Sequence, residues 1–229
     1  GVNKARALAT RLSGVWEIPI SYYEGFVDEQ NLSKLLDVDH RSKYDSLIII
    51  GAVDNHSTRL EIQNFIKKVN AQRVFGSGTF WIDGGNEAYH GQAVLQACFD
   101  PRQRRRTSFG PWEEASIGAK IAPVDTPSIL ERHPEILSKI ETPAEKIEAG
   151  CLELTEIDPQ TIQANMMSAF CIVSLAIQIF QNEITSTAIY FDAKTGNTAT
   201  RFLTKKNILE DQLLIESAKV KLETLNESL

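Results

Sequence analysis

The stretch LIIIGAV at residues 47–53, followed at once by DNHSTR at residues 54–59, sets the expected fold. Every residue of the first part is apolar or small, so a strand formed by it would be apolar on both faces. Strands of this kind lie in the middle of parallel sheets, where helices cover both faces. Apolar residues at helical spacing continue from Leu60 to Val69, so we expect a strand, a polar loop and a helix in that order.

Helix and strand patterns alternate outward from this unit. We predict helices at residues 1–11, ended by Gly14, and at 28–36, and strands at 15–23, 79–83 and 91–98, with a turn at 84–86. This alternation predicts an α/β fold with a Rossmann-like, doubly wound, mostly parallel sheet and right-handed crossovers. Ligands of such sheets bind beyond the carboxyl ends of the strands, where Asp54 and Asp83 stand.

The chain is expected to form one domain in three parts. Residues 1–98 make the Rossmann-like core, residues 99–158 a crossover region with short helices, and residues 159–229 a helix, a β-hairpin and a terminal helix. The hairpin is predicted at 188–203 around the turn sequence KTGN at 194–197, and the terminal helix at 208–225. The helix after Asp158 is predicted to be largely buried because large apolar residues recur along it at helical spacing: Ile162, Met166, Phe170, Val173, Ile177 and Phe180.

The composition of the chain is that of a folded, acidic globular protein. The chain has 229 residues, of which 42% are hydrophobic and 24% charged, values typical of a folded globular protein. The 24 Lys and Arg residues are outnumbered by 30 Asp and Glu residues, which gives a net charge of -6. An acidic chain gains little from a phosphate backbone, so nucleic-acid binding is disfavoured despite the arginine-rich run at 102–106, which we expect to be a loop.

Cysteine usage and hydropathy indicate a cytoplasmic protein. Cys98, Cys151 and Cys171 form no CxxC pair, which argues against a disulfide framework and a structural zinc site and favours a reducing compartment. No signal-peptide pattern opens the sequence. The apolar stretch at 166–180 is interrupted by polar residues and is short for a bilayer, so we expect no membrane span.

A few polar residues are candidates for chemistry. Asp54, at the end of the apolar strand, is a candidate Mg²⁺ ligand, since Mg²⁺ prefers oxygen ligands and often bridges substrate phosphates. The alternative is that Asp54 caps the next helix and pairs with Arg59. Cys151 is either a nucleophile in a partly exposed loop or an ordinary loop cysteine. Lys4, near a helix start, is by default a solvated side chain.

These motifs together resemble one superfamily. The opening Gly-x-x-Lys-Ala at residues 1–5 stands fifty residues before Asp-Asn-x-x-x-Arg at 54–59, and WIDGGN at 81–86 precedes Gly-Gln at 91–92. Cys151 precedes a predicted helix with Gln160, Gln163 and Asn165, and then the hairpin. This order resembles the ThiF/MoeB/E1-like superfamily that activates ubiquitin-like proteins, and its pattern is closest to the ThiF family proteins of PRTRC-type operons.

The resemblance implies adenylation with ATP and Mg²⁺ as cofactors. The C-terminal carboxylate of a ubiquitin-like or sulfur-carrier β-grasp protein would attack the α-phosphate of ATP. Lys4 would meet the phosphates as a point charge, and Asp54 would hold the Mg²⁺. Asn55 and Arg59 would touch the nucleotide or orient the loop, so Lys4 and Asp54 are expected to converge on one triphosphate.

The resemblance also implies partners and further roles. Asp83 and Asn86 would shape a groove for the partner's C-terminal tail, and Cys151 would form a thioester with the activated tail. A homodimer is implied as well. The family's glycine-rich nucleotide-binding segment stands before the Lys motif, so a complete ATP site is expected to need residues that precede Gly1 or a second polypeptide.

Two other functions remain open at this stage. The chain could be a non-catalytic E1-like module that only binds its partner protein. It could also be an unrelated Rossmann-like enzyme that uses a nucleotide or a methyl donor. Exchange of pyrophosphate into ATP that depends on the partner would separate the first of these from an adenylyltransferase.

Overall fold

The computed structural model describes residues 2–36, 46–72, 74–75, 78–99, 124–139, 161–181 and 183–228, with side chains for all of them except 137–139 and 219–228. The helices are α1 (Lys4–Trp16), α2 (Glu29–Leu35), α3 (His56–Gln72), α4 (Ile129–Arg132), α5 (Ile162–Phe180) and α6 (Lys205–Ser228), and a 3₁₀ helix spans Pro134–Lys139. The strands are β1 (Ser46–Gly51), β2 (Gly78–Asn86), β3 (His90–Cys98), β4 (Ser186–Asp192) and β5 (Asn197–Phe202).

The five strands form one open, mixed sheet in the order β1-β2-β3-β4-β5. β1 and β2 pair in parallel, with Gly51 opposite Asp83, and the remaining three pairs are antiparallel. The α/β class is therefore confirmed, whereas a mostly parallel sheet is not found in the part of the chain described. The physical reason is the length of the connections, because the few residues that join β2 to β3 and β4 to β5 can only link antiparallel neighbours.

The β2–β3 hairpin corrects one prediction. Gly84, Gly85 and Asn86 were expected to form a turn, but they are the last three residues of β2. The turn comes after them, where the Glu87 N–H donates to the carbonyl of His90 at 2.8 Å. Gly84 lies close to α5, because a Cβ there would contact Cδ1 of Ile172 and force that side chain to shift.

Two hydrophobic layers enclose the sheet. On one face, α3 and α4 pack against a cluster that includes Phe65, Trp81 and Leu130. On the other face, α5 packs against a cluster that includes Ile82 and Leu95. Side chains alternate between the two faces along each strand, so neighbouring residues of β2 belong to different clusters.

Helix α5 packs on the sheet mainly through small residues together with Leu175. Its buried side chains are Ala164, Ser168, Cys171, Leu175 and Ala176. The prediction that this helix is largely buried is wrong, since all six of its large apolar residues named above are exposed. The helix is also the only described one that is long and apolar enough to cross a membrane, with a mean hydropathy of 1.6, although core helices of soluble proteins meet the same criterion.

The N-terminal region contains a second correction. A strand was predicted at residues 15–23, but α1 continues through Gly14 to Trp16 and residues 17–28 have no regular secondary structure. Asn3 begins the helix by accepting from the N–H of Ala5 at 2.9 Å. The β-branched and aromatic residues after Gly14 have no strand beside them in the described sheet, which begins at β1. Strand propensity without a neighbouring strand does not make a strand.

The C-terminal elements agree with their predictions. The hairpin is formed by β4 and β5, and α6 follows it directly. A buried ion pair anchors α6, because Asp211 accepts from Arg132 Nη2 at 2.9 Å and from Arg201 Nη2 at 2.8 Å. Arg132 also donates to Thr187 Oγ1 at 2.9 Å, so the same cluster joins α4, β4, β5 and α6.

Candidate functional site

A cavity of about 1050 Å³ lies beside the carboxyl ends of β1 and β2. Its walls come from the loop after β1, the start of α3, the end of β2, the start of β3 and the N-terminal half of α5. The parallel pairing of β1 with β2 brings the two strand ends to the same edge of the sheet, which is where sites of open α/β sheets are found. The cavity is therefore the candidate functional site.

Arg59 and Asp83 form a buried ion pair in the wall of this cavity. Nε of Arg59 lies 2.9 Å from Oδ2 and 3.2 Å from Oδ1 of Asp83, and the two side chains are only 7% and 2% exposed. Nη2 of Arg59 donates to the carbonyl of Val53 at 2.8 Å, which ties the loop after β1 to α3. The alternative that Arg59 pairs with Asp54 is therefore wrong.

The ionisation of Asp83 is set by two opposing effects. Burial raises the pKa of Asp83 to about 6, while the charge of Arg59 and its hydrogen bond act in the opposite direction. Desolvation penalises the charged form of a carboxyl group, and a nearby cation favours it. Asp83 is thus a titratable group of the cavity wall whose protonation changes near pH 6.

Asn55, rather than Asp54, caps helix α3. Oδ1 of Asn55 accepts from the N–H of Thr58 at 2.8 Å and from Oγ of Ser57 at 3.1 Å. Because the cap is supplied by Asn55, the alternative in which Asp54 caps the helix is wrong. Asp54 is exposed, lines the cavity and accepts from Nδ2 of Asn55 at 3.3 Å. Its carboxylate therefore remains accessible to a ligand in the cavity.

The sequence-predicted site residues are only partly brought together. Asp54 and Arg59 line the same cavity, as does Asp83, and Asn55 touches Asp54 from outside the lining. Lys4 lies on the exposed first turn of α1 and is not part of the cavity lining, so the cavity does not supply the expected convergence of Lys4 with Asp54. Cys151, like the arginine-rich run at 102–106, lies outside the described residues.

Three histidines line the cavity. The sequence places only His56, beside Asp54, near the expected site and predicts that it is a loop residue, but it is the first residue of α3. Nδ1 of His56 lies 3.2 Å from Nη1 of Arg59, and Nδ1 of His133 lies 3.1 Å from Oε1 of Glu135. His90, at the start of β3, also lines the cavity. His90 and His133 are distant from Asp54 in the sequence, and they line the cavity because β3 pairs with β2 and because α4 packs on the same face of the sheet as α3.

Asn86 joins the end of β2 to the start of α5. Its Nδ2 donates to Oδ1 of Asn165 at 2.8 Å, and both residues line the cavity. Nearby, the N–H and hydroxyl of Thr161 donate to the carbonyl of Ala88, which fixes the first turn of α5 over the β2–β3 turn. The opening between these elements is therefore held in shape by polar contacts from both sides.

The described cavity residues suit a Mg²⁺ ion held by one carboxylate and do not form a site with three or more protein ligands. Among the described residues, no three His, Cys, Asp or Glu side chains are grouped to hold a metal ion. An all-protein cage is therefore not formed by this part of the chain. A single accessible carboxylate such as Asp54 does suit Mg²⁺, which is usually bound by one or two carboxylates together with substrate phosphates and water.

The charge of the cavity wall is negative. Asp54, Asp83, Glu87 and Glu135 line it, whereas Arg59 is the arginine of the described lining and no lysine belongs to that lining. Since Arg59 is already bound to Asp83, the described wall offers no unpaired cation to a phosphate group. A polyphosphate would bind here only with a divalent cation or with a cation from elsewhere.

Comparison with models of known protein families gave no match for this chain. A search of curated proteins gave no match either.

Proposed function

We propose that this protein is a ThiF-like, E1-like adenylyltransferase that uses ATP and Mg²⁺ to activate the C-terminus of a ubiquitin-like or sulfur-carrier β-grasp protein. The observation that supports this most directly is the state of Asp54. Its carboxylate follows the carboxyl end of β1 and is exposed to a cavity of about 1050 Å³. It neither caps α3 nor pairs with Arg59. Asn55 caps α3, and Asp83 pairs with Arg59.

The finer fold assignment belongs to this proposal. The β1-α3-β2 unit has the parallel pairing and covering helix of a Rossmann-like half. β1 is apolar on both faces, as expected for a central strand, although it is the edge of the described sheet and Ile50 is half exposed. The proposal therefore includes a doubly wound sheet that continues with further strands beside β1.

In the proposed reaction, a carboxylate oxygen of the partner's tail forms a bond to the α-phosphorus of ATP. The bond from that phosphorus to the bridging oxygen breaks, and pyrophosphate leaves with the electron pair. Mg²⁺ held by Asp54 would neutralise charge on the phosphate oxygens. We propose that Lys4, which lies on α1 outside the cavity lining, supplies a second positive charge to the phosphates.

Of the two roles that the resemblance implies for Arg59, its contacts support the orienting of the loop. Its guanidinium contacts Asp83, Val53 and His56, so Arg59 is a positioning residue that fixes the loop bearing Asp54. Asn55 acts on the same loop through its cap and its contact with Asp54. Precise positioning of catalytic groups supplies a large part of the rate enhancement of many enzymes.

The partner's tail is proposed to enter between the end of β2 and the start of α5. Gly84 and Gly85 have no side chains there, and Asn86 and Asn165, which are hydrogen-bonded to each other, line the same part of the cavity. Cys151 is proposed to take over the acyl group, with its thiolate attacking the acyl carbon while AMP leaves. Cytoplasmic localisation, the absence of a membrane or nucleic-acid partner, and homodimerisation are parts of the same proposal.

The test is pyrophosphate–ATP exchange by the full-length protein, with β-grasp proteins that end in Gly-Gly as partners. Asp54→Ala should lower the exchange rate by about 100-fold or more, the usual effect of removing one charge-stabilising group. Glu216→Gln, which removes an exposed carboxylate on α6, is the matched control and should leave exchange unchanged. Near-normal exchange by Asp54→Ala would overturn the proposed role of Asp54 as a Mg²⁺ ligand. Absence of exchange by the wild-type protein would overturn the proposed adenylyltransferase activity.

A second function, a non-catalytic E1-like module that binds the partner's tail, is favoured by one observation. Lys4 does not line the cavity, and the described wall lacks an unpaired cation for a triphosphate. Binding of a Gly-Gly-ending partner with equal affinity in the presence and absence of MgATP, without exchange, would support this function over the enzyme.

A further inference from the structure

A second cavity, of about 940 Å³, lies where helix α6 meets the β4–β5 hairpin. Its described wall is formed by Arg132 at the end of α4, Tyr190 of β4, residues 199–201 of β5 and residues of α6 that include Leu213 and Leu214. We call it the α6 cavity. Sites for small organic ligands have volumes of about 300–1,000 Å³, so the α6 cavity is large enough to hold such a ligand.

Three donor groups in the wall of the α6 cavity have no acceptor among the described residues. Nε of Arg132 is buried and unpartnered, although both terminal nitrogens of this arginine are bonded. Arg201 donates through Nε and Nη2, whereas its Nη1 makes no hydrogen bond within the described part of the chain. The hydroxyl of Tyr190 has no partner among the same residues. Since buried donors in folded proteins are nearly always satisfied, this wall is suited to a ligand with oxygen acceptors.

The charged groups around the α6 cavity have a net positive charge. Asp211 pairs with both Arg132 and Arg201, and Glu210 pairs with Arg201 at 3.0 Å. Lys206 lies 3.9 Å from Glu210. Three cations therefore face two carboxylates, which leaves one positive charge in excess. A ligand with a single negative charge balances this excess, whereas a phosphate dianion would exceed it and would be repelled by Glu210.

Part of the wall of the α6 cavity is apolar. Leu213 and Leu214 of α6, Ala199 of β5 and the side chain of Tyr190 line it. Leu213 is 67% exposed, so most of its surface is not covered by the described part of the chain. Burying an apolar group against such a surface is favourable in proportion to the area removed from water. The wall therefore suits a ligand that has an apolar part as well as an anionic part.

We propose that the α6 cavity binds a small organic monoanion, in which a carboxylate is attached to an apolar or aromatic group. The carboxylate accepts from Nη1 of Arg201, because a planar guanidinium matches a carboxylate in geometry, and from the hydroxyl of Tyr190. The apolar group packs against Leu213 and Leu214. The proposal does not rest on the adenylyltransferase function, since it uses a different cavity of the protein.

Tyr190 connects the α6 cavity to the candidate functional site. It lines both cavities, and its ring centre lies 6.4 Å from that of His133 in an edge-to-face arrangement. His133 belongs to the lining of the functional site, whereas Arg132, its neighbour in the sequence, belongs to that of the α6 cavity. A ligand that contacts Tyr190 is therefore close to a histidine whose NMR signal can report its binding.

The first experiment titrates the full chain with phenylacetate, which has one carboxylate and one apolar ring, and measures binding by isothermal titration calorimetry. We expect a dissociation constant of about 1 mM or lower, as is usual for a ligand of about ten non-hydrogen atoms. Phenylacetamide has the same shape without the charge and should bind about 10-fold more weakly, because it loses the charge-assisted hydrogen bonds. Phenyl phosphate should also bind more weakly than phenylacetate.

Variants of the wall locate the ligand. Leu213→Asp brings a negative charge to the cavity and should weaken phenylacetate binding by about 10-fold or more. Leu209→Asp is the matched control, since Leu209 is an exposed leucine one turn earlier on α6 that is outside the described lining, and it should leave binding unchanged. Arg201→Lys keeps the positive charge but removes the planar donor group, so it should weaken binding as well. Far-UV circular dichroism checks that each variant is folded.

The second experiment follows the Cε1 proton resonance of His133 during the titration, with the resonance assigned by its loss in His133→Gln. It should shift with the dissociation constant that calorimetry gives. Saturation without any shift would overturn the placement of the ligand against Tyr190.

The remaining outcomes bear on the site and on the ligand class separately. Absence of phenylacetate binding at millimolar concentration, or binding that Leu213→Asp and Arg201→Lys both leave unchanged, would overturn the site. Equal binding of phenylacetamide would overturn the anionic class, and tighter binding of phenyl phosphate would overturn the carboxylate. Because pyrophosphate exchange is not measured in these experiments, their failure is distinct from failure of the adenylyltransferase proposal.

Discussion

Arg59 and Asp83 join the first turn of α3 to the end of β2, with Nε of Arg59 lying 2.9 Å from Oδ2 of Asp83. Asp83 stands opposite Gly51, the last residue of β1, in the parallel register. The ion pair of Arg59 with Asp83 therefore lies near the carboxyl ends of both strands. The same arginine holds the Val53 carbonyl, one residue before Asp54. The accessible carboxylate of the site is therefore positioned by a buried pair that is itself not accessible to a ligand.

Removal of Arg59 should be strongly destabilising. Arg59→Ala leaves the buried Asp83 without its counter-charge, and loss of one partner of a buried ion pair costs about 3–5 kcal/mol of the free energy of unfolding. Lys68→Ala is the matched control, since Lys68 and Glu29 form a pair that is more than one-third exposed, and it should cost less than about 1 kcal/mol. Urea unfolding measures both, and equal losses would contradict the assignment.

The free energy of unfolding should contain a component that falls as pH rises from about 4 to 6. Burial raises the pKa of Asp83 to about 6, above the value of about 3.9 in an unfolded chain, so in this window the folded protein holds a proton that the unfolded chain has released. Stability falls with rising pH wherever the folded state binds more protons. Above pH 6 the component should be constant.

Asp83→Asn checks this pH dependence, because the amide cannot titrate. The difference in the free energy of unfolding between wild-type protein and Asp83→Asn should change across pH 4 to 6 and become flat above pH 6. Urea unfolding at half-unit pH intervals supplies the measurement. A difference that stays constant over the whole range would show that Asp83 does not titrate there.

Gly51→Ala should destabilise the protein by about 1–3 kcal/mol, the usual cost of overpacking a core. A Cβ at Gly51 would lie 2.9 Å from Nε1 of Trp81 and 3.0 Å from Oδ1 of Asp83, and neither side chain can move freely because both are buried. Gly14→Ala is the control with the opposite sign. Gly14 lies inside α1 with nothing within 4 Å of its Cβ position, so alanine should stabilise by about 0.5–1 kcal/mol.

Asp211→Ala should release helix α6. Asp211 is buried and neutralises Arg132 and Arg201 together, so its removal leaves the buried Arg132 unpaired at a cost of about 3–5 kcal/mol. Hydrogen exchange of α6 amides should become faster in this variant. Glu210→Ala removes a half-exposed carboxylate from the same helix and should cost less than about 1 kcal/mol. Unchanged exchange in Asp211→Ala would show that α6 is anchored by other contacts.

Local pattern was sufficient for β1, a short isoleucine-rich run that follows polar residues, and for α3 and the terminal helix, whose apolar residues recur at helical spacing. It was insufficient at residues 84–86, where two glycines and an asparagine have the composition of a turn. The strand continues there because Gly84, Gly85 and Asn86 pair with residues of β3. The composition of residues 84–86 alone carries no signal for this pairing.

The large apolar residues of α5 show a second limit of sequence reasoning. Helical spacing identifies which apolar residues share a face, but it does not tell whether that face meets the sheet or the solvent. Ala164, Ser168, Cys171 and Leu175 give α5 its contact with the sheet, whereas large apolar residues such as Met166 and Phe170 are exposed. The partner of Arg59 was missed for a related reason, since Asp83 reaches it only through the register of β1 with β2.

The packing at Gly51 has an optical consequence. Nε1 of Trp81 and Oδ1 of Asp83 lie within 2.9 and 3.0 Å of the same point in space, and the indole is 1% exposed. The fluorescence of an indole shifts with the electric field of nearby charges. We therefore expect the emission of Trp81 to shift as the neighbouring carboxyl group gains or loses a proton, in a variant whose other two tryptophans, Trp16 and Trp112, are replaced.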